Sequence, residues 1–136
     1  MSAMEKVAWW ELAVSVAAVA VVALLFPWLG ARASGGFGLL GLIALGIFFL
    51  RRRGNRVAVD ERDREIERRA KAIGVGTAWM TLLTALIAAT MWTGFKQANA
   101  VSIELLNWLI WVQFPICYGM KGLVAIVMYR RHQHAA

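Results

Sequence analysis

Few residues in this chain could do chemistry, and the most conspicuous stand in unfavourable surroundings. Glu11 and Lys121 each interrupt a long run of apolar residues. A charge placed in hydrocarbon costs about 2.5–3.5 kcal/mol on insertion scales, so each calls for a partner, a route to water or a function. The two charges are opposite. If the runs that hold them cross a membrane, both lie toward the same side. Glu11 is one turn into its run, and Lys121 stands eight residues before Tyr129, about 12 Å deeper by helical rise. An ion pair between two helices follows as an expectation. The plainer alternative is that each side chain reaches the interface alone or faces a small water-filled cleft.

Gln113, Cys117 and Lys121 recur every four residues and so share one face of a helix. Pro115 lacks an N–H, frees the carbonyl of Trp111 and predicts a kink there. This polar face is the best candidate for a functional interior, and helix–helix hydrogen bonding is its ordinary use. Other chemistry is scarce. There is no Ser/His/Asp set, phosphate loop, haem motif or flavin fingerprint. The two histidines, His132 and His134, lie in a tail expected to fray, where metal binding would be weak. Cys117 is the single cysteine and reads as a small apolar packing residue. The expectation is a protein without enzymatic activity, cofactor or metal.

The elements that must position these residues follow from composition. The chain has 136 residues, 60% of them hydrophobic and 17% charged. Of its 15 basic and 8 acidic residues, 14 lie between Arg51 and Lys71. A soluble domain this small has too much surface to hide the remaining apolar stretches. A soluble enzyme, a disulfide-stapled secreted domain and a disordered chain are thereby excluded. The expected class is all-α: an integral membrane four-helix bundle forming one domain. A span needs roughly 20 apolar residues. The candidate spans are about 7–29, 33–50, 72–95 and 101–129, with a linker at 51–71. The second is short and glycine-rich, and the fourth is long enough to tilt or project.

Orientation comes from the Lys and Arg counts. The linker, the carboxy-terminal tail and the amino-terminal segment together carry twelve, against two in the other loops, Arg32 and Lys96. The positive-inside rule places both termini and the linker in the cytoplasm, in a multi-pass protein of the inner membrane. The tryptophans agree: Trp9 and Trp10 fall at the inner interface, Trp28 and Trp92 at the outer, with Trp108 near it. Trp79 and Trp111 read better as core filler. Lys6, Leu12–Phe26 and Ala31-Arg32-Ala33 also resemble a cleaved signal peptide, which would leave three spans. The weak positive start and Glu11 argue against that. The net charge of +7 is explained by topology without nucleic acid, since no nucleic-acid motif is present. Arg51, Arg52, Arg53 and Arg56 suit anionic lipid headgroups.

The charged stretch is a helix by its own chemistry. Asp60 is a good N-cap, with Asp63 three residues on as in a capping box. Acids (Asp60, Glu61, Asp63, Glu65, Glu67) precede Arg68, Arg69 and Lys71, matching the helix dipole. Glu65–Arg69 and Glu67–Lys71 are i,i+4 pairs. Ile66, Ala70 and Ile73 form a narrow apolar stripe. No Gly or Pro intervenes before Gly74, so the helix should run directly into the third span. Its charged surface, Asp60, Glu61, Asp63, Glu65, Glu67 and Arg68, is either solvated or a docking surface for another protein or a second copy of the chain. Small-residue faces, Thr77, Thr81, Ala85 and Ala88 on the third span and Ser34, Gly38 and Gly41 on the second, would let helices approach closely.

An apolar span ending in arginines, then Val57-Ala58-Val59-Asp60-Glu61-Arg62-Asp63, then Ile66 and Arg69-Ala70 before another span, resembles small membrane proteins of bacteria and archaea. The nearest family is domain of unknown function 2178. The likeness covers roughly Arg51–Ala72 and the four-span layout, and it implies architecture with no catalytic role. Together these readings favour an accessory, scaffold or regulatory subunit acting through its cytoplasmic helix. The alternative is a small oligomeric channel or transporter built around Glu11, Gln113 and Lys121.

Overall fold

The computed structural model describes residues 3–46, 48, 60–96 and 100–134. The described elements are all helical: α1 (Ala3–Leu29), a 3-10 helix (Gly30–Gly46), α2 (Glu61–Phe95) and α3 (Ile103–His134). By length and composition three stretches can cross a membrane, Ala3–Gly46, Glu61–Phe95 and Ile103–Arg131. This is an all-α architecture suited to a membrane. The number of α-helices differs from the expected four, because the glycine-rich second segment is not α-helical.

The first stretch counts as one because helix follows helix without a break, but the chain reverses within it. Gly30 has φ 55°, the left-handed conformation that glycine supplies at a helix C-terminus. The 3-10 helix then returns along α1. Gly36 packs on Val22, Gly46 packs on Trp10 and Val7, and Trp10 Nε1 donates to the Leu42 carbonyl at 2.9 Å. A 3-10 helix rises about 2.0 Å per residue and eclipses side chains three apart. Its 17 residues therefore reach about 34 Å, further than an α-helix of that length. Phe37, Leu40, Ile43 and Gly46 are at least partly buried at intervals of three. Gly35, Gly38 and Gly41 form a second row with open space around them, and without Cβ atoms that row has no eclipsed side chains.

α2 confirms the expected run-through: a single helix carries the charged stretch into the apolar one. α3 continues through Pro115 and extends past the expected tail to His134, while the side chains of His132 and His134 lie outside the described residues. So do Arg51, Arg52, Arg53 and Arg56. α3 is central. It packs along α1 and α2 and also touches the 3-10 helix, so the elements form an open arrangement with α2 leaning mainly on α3.

Two cores result. At the charged end Ala8, Ile66, Ala70, Ala125, Ile126 and Tyr129 join the starts of α1 and α2 to the end of α3. At the other end Ala18, Val22, Ala33 and Phe37 join α1 to the 3-10 helix, with Trp108 and Val112 packed against them. Trp108 makes edge-to-face contacts with Phe26 and Phe37, the geometry aromatic quadrupoles favour. Here the tryptophan assignment is corrected. Trp108 is a packing residue, whereas Trp79 and Trp111 are 59% and 39% exposed and face outward, since their positions lie off the surfaces that α2 and α3 turn toward each other.

Candidate functional site

Close approach comes first, because the charges meet only where the helices nearly touch. A Cβ at Gly74 of α2 would stand 2.6 Å from the Cys117 carbonyl oxygen and 3.0 Å from Lys121 Cβ. A Cβ at Gly122 of α3 would stand 2.8 Å from the Ala8 carbonyl oxygen and 3.0 Å from the Leu12 nitrogen. Two glycines thus let α3 touch the backbones of α2 and α1 at nearly the same level. Lys121 lies beside both contacts.

Its ammonium group is shared. Lys121 Nζ donates to Glu11 Oε1 at 2.8 Å and lies 2.7 Å from Glu67 Oε1. One carboxylate comes from each neighbouring helix. The Glu11 and Lys121 side chains are 8% and 13% exposed, that of Glu67 36%. Two acids and one base leave a formal excess of one negative charge, and Glu67 is the member that water can solvate. The expected Glu11–Lys121 pair is therefore present, and Glu67 completes it. Glu67 was expected on an outward surface, paired with Lys71. Its residue spacing puts it beside Ile66 and Ala70, which are 2% and 0% exposed, so it turns inward with them.

Asp63 is corrected for the same reason. It is buried, and Tyr129 donates its hydroxyl to Asp63 Oδ1 at 2.8 Å in place of the reciprocal half of a capping box. Asp60 does cap the helix, its Oδ1 accepting from the Glu61 backbone at 2.7 Å. The apolar stripe runs Ile66, Ala70, Gly74; Ile73 is exposed. Ser15, whose hydroxyl donates to the Glu11 carbonyl at 2.7 Å, sits opposite Gly119.

The outward face of the charged stretch keeps Glu61, Arg62, Arg64, Arg68 and Arg69 exposed, with Glu65 at its margin. Glu65 binds Arg69 at 2.6 Å and Arg68 at 2.8 Å. The Arg69 hydrogen bond holds the Glu65 carboxyl below the usual carboxylate range. At the same end Arg130 lies over the Trp9 ring, 5.5 Å from its centre, a cation–π contact.

Gln113 does not join the charged cluster. Its Oε1 is buried and lacks a hydrogen-bond partner among the described residues. The small faces assigned from sequence are only partly used. Gly38 and Gly41 touch nothing within 4 Å, and Ser34 accepts from Asn107 at 3.2 Å. Thr81 donates to the Thr77 carbonyl, while Ala85 and Ala88 line a cleft of about 540 Å³ between the end of α2 and the start of α3. Sequence reasoning missed Glu67, Tyr129 and the glycines at positions 74 and 122. A signal existed for the last two: both fall within one turn of a charged residue's helical neighbours.

Compared with protein-family models, curated proteins and solved structures, the chain matches none.

Proposed function

We propose that this is a non-enzymatic multi-pass protein of the cytoplasmic membrane, acting as an accessory, scaffold or regulatory subunit through the charged start of α2. The observation that carries this reading is the clamp on that stretch. Its inner face is tied to α3 by Lys121–Glu67 and Tyr129–Asp63. Its outer face, Glu61, Glu65, Arg68 and their basic neighbours, is thereby held in fixed register, as a docking surface requires. The Lys and Arg distribution supports cytoplasmic termini and linker, and with the 3-10 helix as the second crossing the chain would cross four times. Partners would be membrane lipids, through Arg51, Arg52, Arg53 and Arg56, and another protein or a second copy. Nucleic acid is not among them. The likeness to domain of unknown function 2178 rests on its motif residues and is consistent with this role.

A second reading, a small channel or transporter around Glu11, Gln113 and Lys121, draws on the intramembrane charges. The clamp weighs against it, since Lys121 is already held by two carboxylates.

The test is recovery of the native complex from detergent. Glu61→Lys with Glu65→Lys leaves the inward-facing acids alone, so thermal stability should not change and the positive side stays positive. Partner recovery should fall. Recovery left intact, with the cellular phenotype abolished by Gln113→Leu, would favour the channel reading. Cysteine labelling at Asn55 and Asn99 should report opposite sides of the membrane; labelling of Asn55 from outside intact cells would defeat the topology.

A further inference from the structure

Gln113 stands eight residues before Lys121 on the same face of α3. An amide acceptor buried without a donor costs about 1–3 kcal/mol, and native structures seldom keep one without a reason. Gln113 lines a pocket of about 260 Å³ between α2 and α3, together with Val75, Ala78, Trp79, Phe114, Cys117 and Tyr118. The hydroxyls of Thr81 and Thr84 on α2 are committed to carbonyls of their own helix. The walls are otherwise mostly apolar and aromatic. Trp79 and Phe114, at the rim, are 59% and 45% exposed. They belong to the apolar stretches of α2 and α3, so the pocket opens sideways toward lipid. An apolar cavity of about 150 Å³ already admits benzene, so this one has room for a bicyclic ring.

We propose that this pocket binds a small lipid-soluble aromatic molecule bearing a hydroxyl group, of the phenol or hydroquinone class. The hydroxyl donates to Gln113 Oε1, and the ring packs against Trp79 and Phe114. The orphaned acceptor selects for a donor, the aromatic walls for a ring, and the lateral opening for a ligand that partitions into the membrane. The proposal is independent of docking at the start of α2.

The probes are 4-fluoro-1-naphthol and its methyl ether, titrated by fluorine NMR against the full chain in lipid nanodiscs. The naphthol should bind saturably and about tenfold more tightly than the ether, as one hydrogen bond to an otherwise bare acceptor provides. Gln113→Leu should erase that ratio while retaining the ether's affinity. Val75→Trp should block both probes. Gln113→Leu removes an unpaired acceptor, so it should melt no lower than the native chain; if it does, the apolar Gln113→Met takes its place. Equal affinities for the two probes, a ratio that survives loss of the amide, or partitioning into lipid without saturation would each overturn the proposal. The last result is also what a trapped water serving Gln113 would give.

Discussion

Two stretches of the α2–α3 contact, two to three turns apart, are built in opposite ways. At the charged end the helices touch backbone to backbone at Gly74, and a third helix closes in at Gly122. Lys121 is satisfied twice over. Toward the middle and the far end the same two helices diverge, leaving clefts of about 260 and 540 Å³, and Gln113 Oε1 is left bare. In lipid there is no hydrophobic push between helices, so contact must come from small residues and polar bonds. The charged end has both. Further along, α2 presents Trp79, Leu82 and Trp92 to α3 or to the lipid side, side chains too large for such an approach. The contrast teaches that glycines and charges here are one device: the glycines bring the backbones close enough for Lys121 to reach acids on both sides.

The sharpest way to break that device is to remove its shared member. Lys121→Met leaves Glu11 and Glu67 facing each other without a cation. Breaking a buried pair by deleting one partner costs about 3–5 kcal/mol, and the partial exposure of Glu67 puts this site near the lower figure, about 3 kcal/mol. Glu11→Gln should cost less, about 1–2 kcal/mol, because Lys121 keeps Glu67. Restoring Lys121→Met with Glu11→Gln should regain much of the loss, since the surviving carboxylate can be hydrated. Thermal unfolding in detergent orders the three. Equal losses for the two single variants would mean that Glu67 contributes nothing.

The next largest effect tests the close approach itself. Gly74→Ala places a methyl group against a backbone carbonyl, which cannot swing aside as a side chain could. Overpacking of this kind costs about 1–3 kcal/mol, partly offset by the better helix propensity of alanine, about 1 kcal/mol. A net loss of about 1 kcal/mol is expected, with weaker protection of the Lys121 contacts. Lys121→Met made in the Gly74→Ala background should then lose less than in the native chain, because the helices have already parted. Simple additivity of the two changes would show that the glycine and the charge act separately.

What could be read from the sequence divides along the same line. Glu11 and Lys121 were legible because a charge in an apolar run is conspicuous and its cost is known. Glu67 was not, because it stands among eight other charges of the Asp60–Arg69 stretch, where i,i+4 pairing explains every residue without a third dimension. Its inward turn is set by Ile66 and Ala70, whose stripe was recognised but not followed around the helix. The second crossing was located by its composition and misjudged in its geometry. The glycine row at Gly35, Gly38 and Gly41 repeats every three residues, the period of a 3-10 helix, and reading it with the α period paired Gly38 and Gly41 with Ser34 instead. Gln113 and its face were legible; that its carbonyl would be left without a donor was not, since this depends on how far α2 diverges from α3.

The smallest expected effect sharpens the comparison by contrast. Gly76 is half a turn from Gly74 on the same helix, and a Cβ added there meets nothing within 4 Å. Both glycines weaken an α-helix intrinsically, by about 1 kcal/mol each relative to alanine. If contact with α3 is what makes Gly74 necessary, Gly76→Ala should release that penalty without cost and raise stability by about 0.5–1 kcal/mol. Position 76 would then respond to propensity alone and position 74 to packing. A loss of stability at Gly76→Ala would mean that the outer face of α2 is itself covered, by lipid held in place or by another chain, and repeating the measurement across a range of protein concentrations would tell these apart: only a covering chain makes the loss depend on concentration.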